Sequence, residues 1–277
     1  MRESREKILK KEIELPINEK EREILKKLET ENPKEAFLIK SEKVLGKPFN
    51  VFLVNLDSGI SGIFKPGRGE LNRKEKAVYL LSKFLFPQLS LVPPTEIREM
   101  EIKIKISGVE ETIKEKGSFQ LWIPEAQVFS KEKFKGKIPN NIENQLFYLW
   151  VLDYIIAHKD RRGNILIDEN KSQIYAIDNE ESFFERPLEI NPEILDKKLP
   201  PELLKDLEDF LSERKDEFKK IIEKEELLDQ REISAFLQRV EKIVKILKEN
   251  QGVIPKENAK DLEKIYPKRV QKTLSDF

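Results

Sequence analysis

Three side chains near the middle of the chain, Asp160, Asn164 and Asp178, offer oxygen donors at a spacing suited to chemistry. Two carboxylates and an amide, with Arg161 and Arg162 alongside, fit a magnesium ion and the phosphates that it carries. In phosphoryl transfer the protein mainly positions groups and offsets charge: one carboxylate orients the attacking hydroxyl, while an Asn and an Asp hold metal. The stretch from Asp160 to Asp178 contains all three parts. Taken alone, in a chain with 38% charged residues, it reads more simply as a solvated loop. The elements around it carry the decision.

The run Leu146–Ala157 is apolar on almost every side, and Asp153 interrupts it well short of bilayer-spanning length, so it reads as a buried helix. Asn140 and Asn141 are expected to cap it after Pro139. It ends in the polar loop His158–Asn164. Two β-rich runs follow, Ile165–Ile167 and Ile174–Ile177, joined by the turn-forming Asp168–Ser172, and they predict an antiparallel hairpin. If Ile167 faces Ile174, the register sets Asn164 beside Ile177 and Asp178, and the three oxygen-bearing side chains converge at one edge.

At 277 residues the chain can bury one or two substantial cores. Fifty-two Lys and Arg balance 52 Asp and Glu, so no overall charge draws it to nucleic acid or an anionic membrane. It has no cysteine and one histidine, which excludes disulfides, thiolate catalysis and thiolate zinc sites. A charged start and the lack of a transmembrane-length apolar run make the cytoplasm the expected location.

In chain order, residues 1–35 read as a helical extension, with Asn18 and Glu21 spaced as a capping box and Ile24, Leu25 and Leu28 as an apolar stripe. Residues 36–122 read as a β-rich lobe, with strands at Ala36–Ile39, Phe49–Val54 and Gly59–Phe64, a helix at Arg73–Phe86, and strands at Glu101–Ile106 and Thr112–Lys116. Lys65 leaves the third strand and Glu75 lies near the start of the helix. The two could pair, leaving Lys65 to neutralise phosphate, although composition alone makes them surface charges. Gly117–Pro124 reads as an extended bridge. Residues 123–277 read as a mostly helical lobe holding the loop and hairpin, with core stripes at Leu203–Leu211 and Phe236–Leu247, and with Gly252 and Pro255 ending the last helix. No repeat or long linker divides the chain.

This order resembles the protein-kinase-like fold, an α+β bilobed architecture with a small β-rich N-lobe containing one main helix and a larger helical C-lobe. The motifs resemble the phosphatidylinositol 3- and 4-kinase-related branch, including type II lipid kinases and bacterial HipA-type kinases. Gly62–Pro66, Lys74–Ala77 with Leu91–Thr95, and Leu152–Ile156 through Asp160–Arg161 to Ile177–Asn179 and Ser182–Phe183 carry the likeness. The resemblance implies ATP and Mg2+ as cofactors. It implies that Lys65 contacts the nucleotide phosphates, Glu75 pairs with Lys65, Asp160 orients the acceptor, and Asn164 and Asp178 bind the metal. It further implies an adenine-side hinge at Gln120–Glu125 that includes Trp122 and Ile123, with Ile177 beside the nucleotide and Gly46 in the phosphate-covering turn.

Two departures stand out. Asn164 follows Asp160 by four residues where the family spacing is five, and the turn Val44–Phe49 holds one glycine where backbone approach to phosphate favours several. The implied activity is phosphotransfer from ATP to a hydroxyl acceptor, protein Ser/Thr slightly ahead of lipid, inositol or sugar. The alternatives are a pseudokinase scaffold and an AMP-transferring enzyme on the same fold.

Overall fold

The protein is described by a computed structural model covering residues 15–44, 47–106, 109–134, 137–186 and 189–262. Its N-terminal half is built on a five-stranded antiparallel sheet in the order β1-β2-β3-β5-β4, comprising β1 (Pro33–Val44), β2 (Lys47–Leu56), β3 (Ser61–Pro66), β4 (Thr95–Ile106) and β5 (Val109–Leu121). Alternation along these strands sends Phe52, Val54, Phe64, Met100, Ile102 and Phe119 into one core. β3 lies in the middle of the sheet, paired with β2 as far as Phe64 and with β5 through Lys65.

The last two strands are longer than the apolar pattern predicts. Charge pairing lengthens them, because Glu99 faces Lys116, Glu101 faces Lys114 and Lys105 faces Glu110 across the ribbon. Gly117–Leu121, expected as a free bridge, is therefore the end of β5 and pairs with β3. A Cβ on Gly117 would lie 2.5 Å from the Lys65 carbonyl oxygen, so only glycine allows this approach.

The N-terminal helix α1 (Glu19–Thr30) packs on β4, while residues 1–14 of the expected extension lie outside the described residues. The capping box is half formed: Asn18 accepts from the Glu21 amide at 2.9 Å. The Glu21 carboxylate instead accepts from the Tyr79 hydroxyl and from buried Lys83, each at 2.9 Å, because a buried ammonium needs a counter-ion more than an exposed cap needs a second bond. Both partners lie on α2 (Glu70–Leu85). One face of α2 contacts β4 and β5, while Ala77, Leu81 and Phe84 join the core of the helical half. This helix, which carries Glu75, is thereby tied to both halves of the molecule.

The C-terminal half is organised on α3 (Asn140–Ile156), whose run from Leu146 to Leu152 is fully buried, as its all-round apolar sequence predicts. Its N-cap is Pro139 with no side-chain cap bond, so Asn140 and Asn141 do not cap it. A short strand β6 (Gln127–Val128) joins β7 (Ile165–Asp168) and β8 (Gln173–Ala176) in a small antiparallel sheet. The helices α4 (Pro201–Asp209), α5 (Lys215–Lys224), α6 (Gln230–Glu249) and α7 (Lys256–Leu262) close the core, with α4 passing into α5 through a π turn at Phe210–Arg214. α6 ends at Glu249 just before Gly252 (φ 85°), as expected, with the Gly252 amide donating to the Leu247 carbonyl at 2.7 Å, but it is not the last helix, since Pro255 directly precedes α7. No helix among the described residues is long and apolar enough to cross a membrane.

Candidate active site

Lys65 leaves β3 with its side chain almost wholly buried, and its ammonium meets Glu75 Oε1 of α2 at 2.9 Å. The other Glu75 oxygen accepts from Ser118 Oγ at 2.8 Å, and Ser118 is the residue paired with Lys65 across the β3–β5 ladder. Neighbouring strands thus supply both partners of one buried carboxylate, which satisfies it and fixes the height of the lysine. The ammonium also reaches Asp178 Oδ1 at 2.6 Å and lies 3.6 Å from Glu180. Burial acts to lower the Lys65 pKa, but Glu75, Asp178 and Glu180 outweigh it and hold it above its ordinary value. For Asp178, burial pushes upward and Lys65 overrides it, leaving the carboxyl below its usual range.

The loop after α3 begins at Ala157, in the left-handed region (φ 50°), which ends the helix. Arg161 then folds back across it. Its Nε donates to both Asp153 oxygens at 3.1 and 3.0 Å, and Nη2 donates to Asp153 Oδ1 and Asn179 Oδ1, each at 2.8 Å. Nη1 donates to the Ile177 carbonyl at 3.0 Å. One guanidinium therefore joins helix, loop and hairpin. The residues after Asp178 add further ties: the Phe183 amide donates to the Ile156 carbonyl at 2.5 Å, and His158 Nδ1 lies 3.1 Å from Ser182 Oγ.

Burial, reinforced by the Arg161 charge, depresses the His158 pKa to about 4. His158 is therefore neutral near pH 7 and shapes the loop without titrating there. Because the folded value is depressed, its stabilising contribution is complete above the unfolded pKa of about 6.5 and is lost as pH falls toward 4. An NMR titration of this single histidine should show no midpoint between pH 5.5 and 7.5 (roughly the ordinary range), whereas a midpoint near 6.5 would contradict a buried, neutral ring.

The hairpin register is the expected one, Ile167 opposite Ile174, and the Ile177 amide donates to the Asn164 carbonyl at 3.1 Å. The shortened loop closes through a tight turn in which the Asn164 amide donates to the Arg161 carbonyl at 3.1 Å and Gly163 takes φ 83°. Asn164 Nδ2 donates to the Asp160 carbonyl at 2.7 Å, leaving Oδ1 as its acceptor end. Asp160, Asn164, Asp178 and Lys65 all line one cleft of about 450 Å³.

The same cleft is also lined by apolar side chains, Ile39, Val51 and Ile63 from the sheet, Trp122 and Ile123 after it, and Leu166 and Ile177 from the hairpin. Gln120 also lines it, but its amide nitrogen is engaged by Thr95 Oγ1 at 2.9 Å. Glu125 is exposed outside the cleft, and Gly46 lies outside the described residues. Sequence reasoning missed the roles of Arg161, Asp153, Asn179 and Ser118, and the cleft residues Ile39, Val51, Leu166, Arg68 and Glu180. Ser118 was the most accessible of these, since a small polar residue inside an apolar strand end asks for a buried partner.

Among the described residues, no group of three or more His, Asp or Glu side chains forms a metal cage by itself. Asp178 and the Asn164 amide oxygen form an incomplete set of hard donors, suited to an ion that keeps water and takes phosphate oxygens as its other ligands. The Lys65 ammonium, 2.6 Å from Asp178 Oδ1, already neutralises one of these oxygens.

A β-sheet half, a helical half and a cleft between them with a strand lysine paired to a helix glutamate define a protein-kinase-like fold. Solved structures share it. The chain is similar to the Golgi casein kinase with Mn and ADP bound, at TM-score 0.56 and 15% identity over 85% of this chain and 78% of that one. It is similar to a second structure of the Golgi casein kinase at TM-score 0.58 and 14% identity, over 86% and 78% of the two chains. No family model and no curated protein matches the sequence.

Proposed function

We propose that the protein is an ATP- and magnesium-dependent phosphotransferase acting on a hydroxyl, with protein Ser or Thr the favoured acceptor. The observation that carries this reading is the single cleft of about 450 Å³ lined by Lys65, whose ammonium pairs with Glu75, and by Asp160, Asn164 and Asp178 together with apolar side chains. Lys65 binds the nucleotide phosphates, held at the right height by Glu75 and Ser118. Asp160, exposed at the cleft floor, accepts a hydrogen bond from the acceptor hydroxyl and takes its proton as the oxygen attacks the terminal phosphorus and ADP departs. Magnesium, when bound by Asp178 and Asn164, offsets the charge on the phosphates. The Mn and ADP named for one neighbouring structure support a nucleotide and a divalent cation in this fold, and the name casein kinase supports a protein acceptor. Assignment to the phosphatidylinositol 3-/4-kinase-related branch rests on the sequence motifs at Gly62–Pro66 and Leu152–Asp178.

The direct Lys65–Asp178 contact favours a second reading, a scaffold in which the lysine keeps the metal position closed. Incubation with ATP, magnesium and either casein or phosphoinositide vesicles, read by mass spectrometry, separates the cases. Added phosphate on either acceptor supports phosphotransfer and identifies its class. Added AMP replaces it with nucleotidyl transfer, and an unchanged acceptor with unconsumed ATP supports the scaffold.

A further inference from the structure

The roles assigned above leave one ion pair in the cleft without a use. Arg68 stands in the turn after β3 between Gly67 (φ 69°) and Gly69 (φ 55°), and a Cβ on Gly67 would lie 2.5 Å from Glu115 Oε2. With ψ −112°, Gly69 holds a backbone conformation that only glycine adopts without strain. The turn sets the guanidinium in the wall of the same cleft as Lys65, 5.2 Å from the centroid of the Phe49 ring. There Nη1 donates to both oxygens of Glu180 at 2.6 Å. The two side chains are only 8% and 16% exposed, so this is no solvated surface pair. Nε of Arg68 is shielded from solvent and meets no acceptor. A planar fork of five donors that satisfies a carboxylate through one nitrogen keeps capacity for a larger anion.

Two of the cations lining the cleft are thus held by carboxylates, Lys65 by Glu75, Asp178 and, at 3.6 Å, Glu180, and Arg68 by Glu180. Resting on the nucleotide reading above, we infer that Arg68 is a second phosphate-binding residue and that Glu180 is the counter-ion it exchanges for the nucleotide. In the nucleotide-free cleft Glu180 neutralises Arg68. A polyphosphate entering the cleft takes the guanidinium over, and the released Glu180 carboxylate, two residues from Asp178, then stands with it as a second acidic group for a divalent cation. The exchange is one of ion pairs and involves no covalent step. It couples nucleotide and cation: phosphate displaces carboxylates from both Lys65 and Arg68, and the displaced charges favour a cation beside them. Metal-free ATP must compete with Glu180 for Arg68.

The test is calorimetric titration of ATP, in EDTA and in magnesium, into the wild-type protein, Glu180→Gln, Arg68→Ala, Arg68→Lys and the Glu180→Gln/Arg68→Ala double variant, with circular dichroism melts to verify folding. Glu180→Gln keeps the shape and removes the competing charge, so metal-free ATP should bind about tenfold more tightly and the advantage given by magnesium should shrink. Arg68→Ala should weaken ATP binding in magnesium about tenfold or more, Arg68→Lys by less, and the double variant should lose most of the metal-free gain, the remainder acting through Lys65, which lies 3.6 Å from Glu180. Unchanged or weaker metal-free binding by folded Glu180→Gln overturns the inference, as does a gain that persists undiminished without Arg68. Wild-type protein that binds no ATP even with magnesium overturns the nucleotide reading itself and this inference with it.

Discussion

Asp160→Asn is expected to lower kcat for phosphoryl transfer by about a thousandfold while leaving the ATP dissociation constant within about twofold of wild type. Asp160 is exposed on the cleft floor, and its carboxylate makes no contact with Lys65, Glu75 or Asp178, so its loss leaves the nucleotide-holding groups in place. The loop should also survive, because the Asp160 group that accepts from Asn164 is its backbone carbonyl, which the substitution retains. A group that acts only on the attacking hydroxyl affects turnover without affecting ground-state nucleotide binding. Single-turnover kinetics with calorimetric ATP titration separates the two quantities. Equal losses in both would remove Asp160 from the acceptor role and make it a nucleotide-binding residue.

The second large effect is expected at a residue that touches neither nucleotide nor acceptor. Asp153→Ala should destabilise the protein by about 3 kcal/mol and depress turnover, because it leaves the Arg161 guanidinium partly desolvated without its counter-ion. The pair is 12% and 14% exposed and holds through three nitrogen–oxygen contacts of 2.8–3.1 Å. Arg161 also carries the bonds to Ile177 and Asn179 that set Asp178 opposite Lys65, so loss of its anchor should reach the proposed metal-binding position. Replacing both partners, as in Asp153→Ala/Arg161→Met, should recover part of the stability and none of the turnover, since the buried charge is gone but the tie is not restored. Thermal melts and initial rates check this. An Asp153→Ala protein with wild-type melting temperature and rate would show that the Arg161 brace carries no weight.

These two cases show where sequence was informative. Asp160, Asn164 and Asp178 could be placed because the hairpin that joins them is local: a period-two apolar pattern with a five-residue turn fixes the register, and the register fixes which ends meet. The buried helix was legible for the same reason, its composition needing no partner to interpret. Charged strands hid better. β4 and β5 extend far beyond their apolar cores because cross-strand Glu–Lys pairs support them, and such pairs are invisible until the two strands are laid side by side.

The Lys65–Glu75 pair, only ten residues apart, could be suspected, yet composition argued against it, and only the burial of Lys65 with Ser118 on the far side of Glu75 distinguishes it from surface charge. Arg68 and Glu180 are 112 residues apart, and no local pattern links them. Caps failed where tertiary demand was stronger: Glu21 left its capping position to neutralise Lys83. Gln120, expected at the adenine-side hinge, lines the cleft while its amide nitrogen donates to Thr95 Oγ1, a pairing 25 residues apart that no local pattern shows.

The Asp178–Lys65 contact is the point on which catalytic and scaffold readings divide, and the left-handed backbone of Asp178 (φ 55°) decides how to test it. Asn tolerates that conformation better than Ala, so Asp178→Asn removes the charge with the least strain. The measurement is the thermal midpoint of wild type and Asp178→Asn with saturating ATP, with and without magnesium. Ligand at about 100 times its dissociation constant stabilises the folded state by about 2.7 kcal/mol, a rise of several degrees for a chain of this size. The account predicts that magnesium adds to the rise produced by ATP in the wild-type protein and adds nothing in Asp178→Asn. A magnesium increment that survives intact in Asp178→Asn, or wild-type protein that ATP and magnesium leave unshifted, would contradict it.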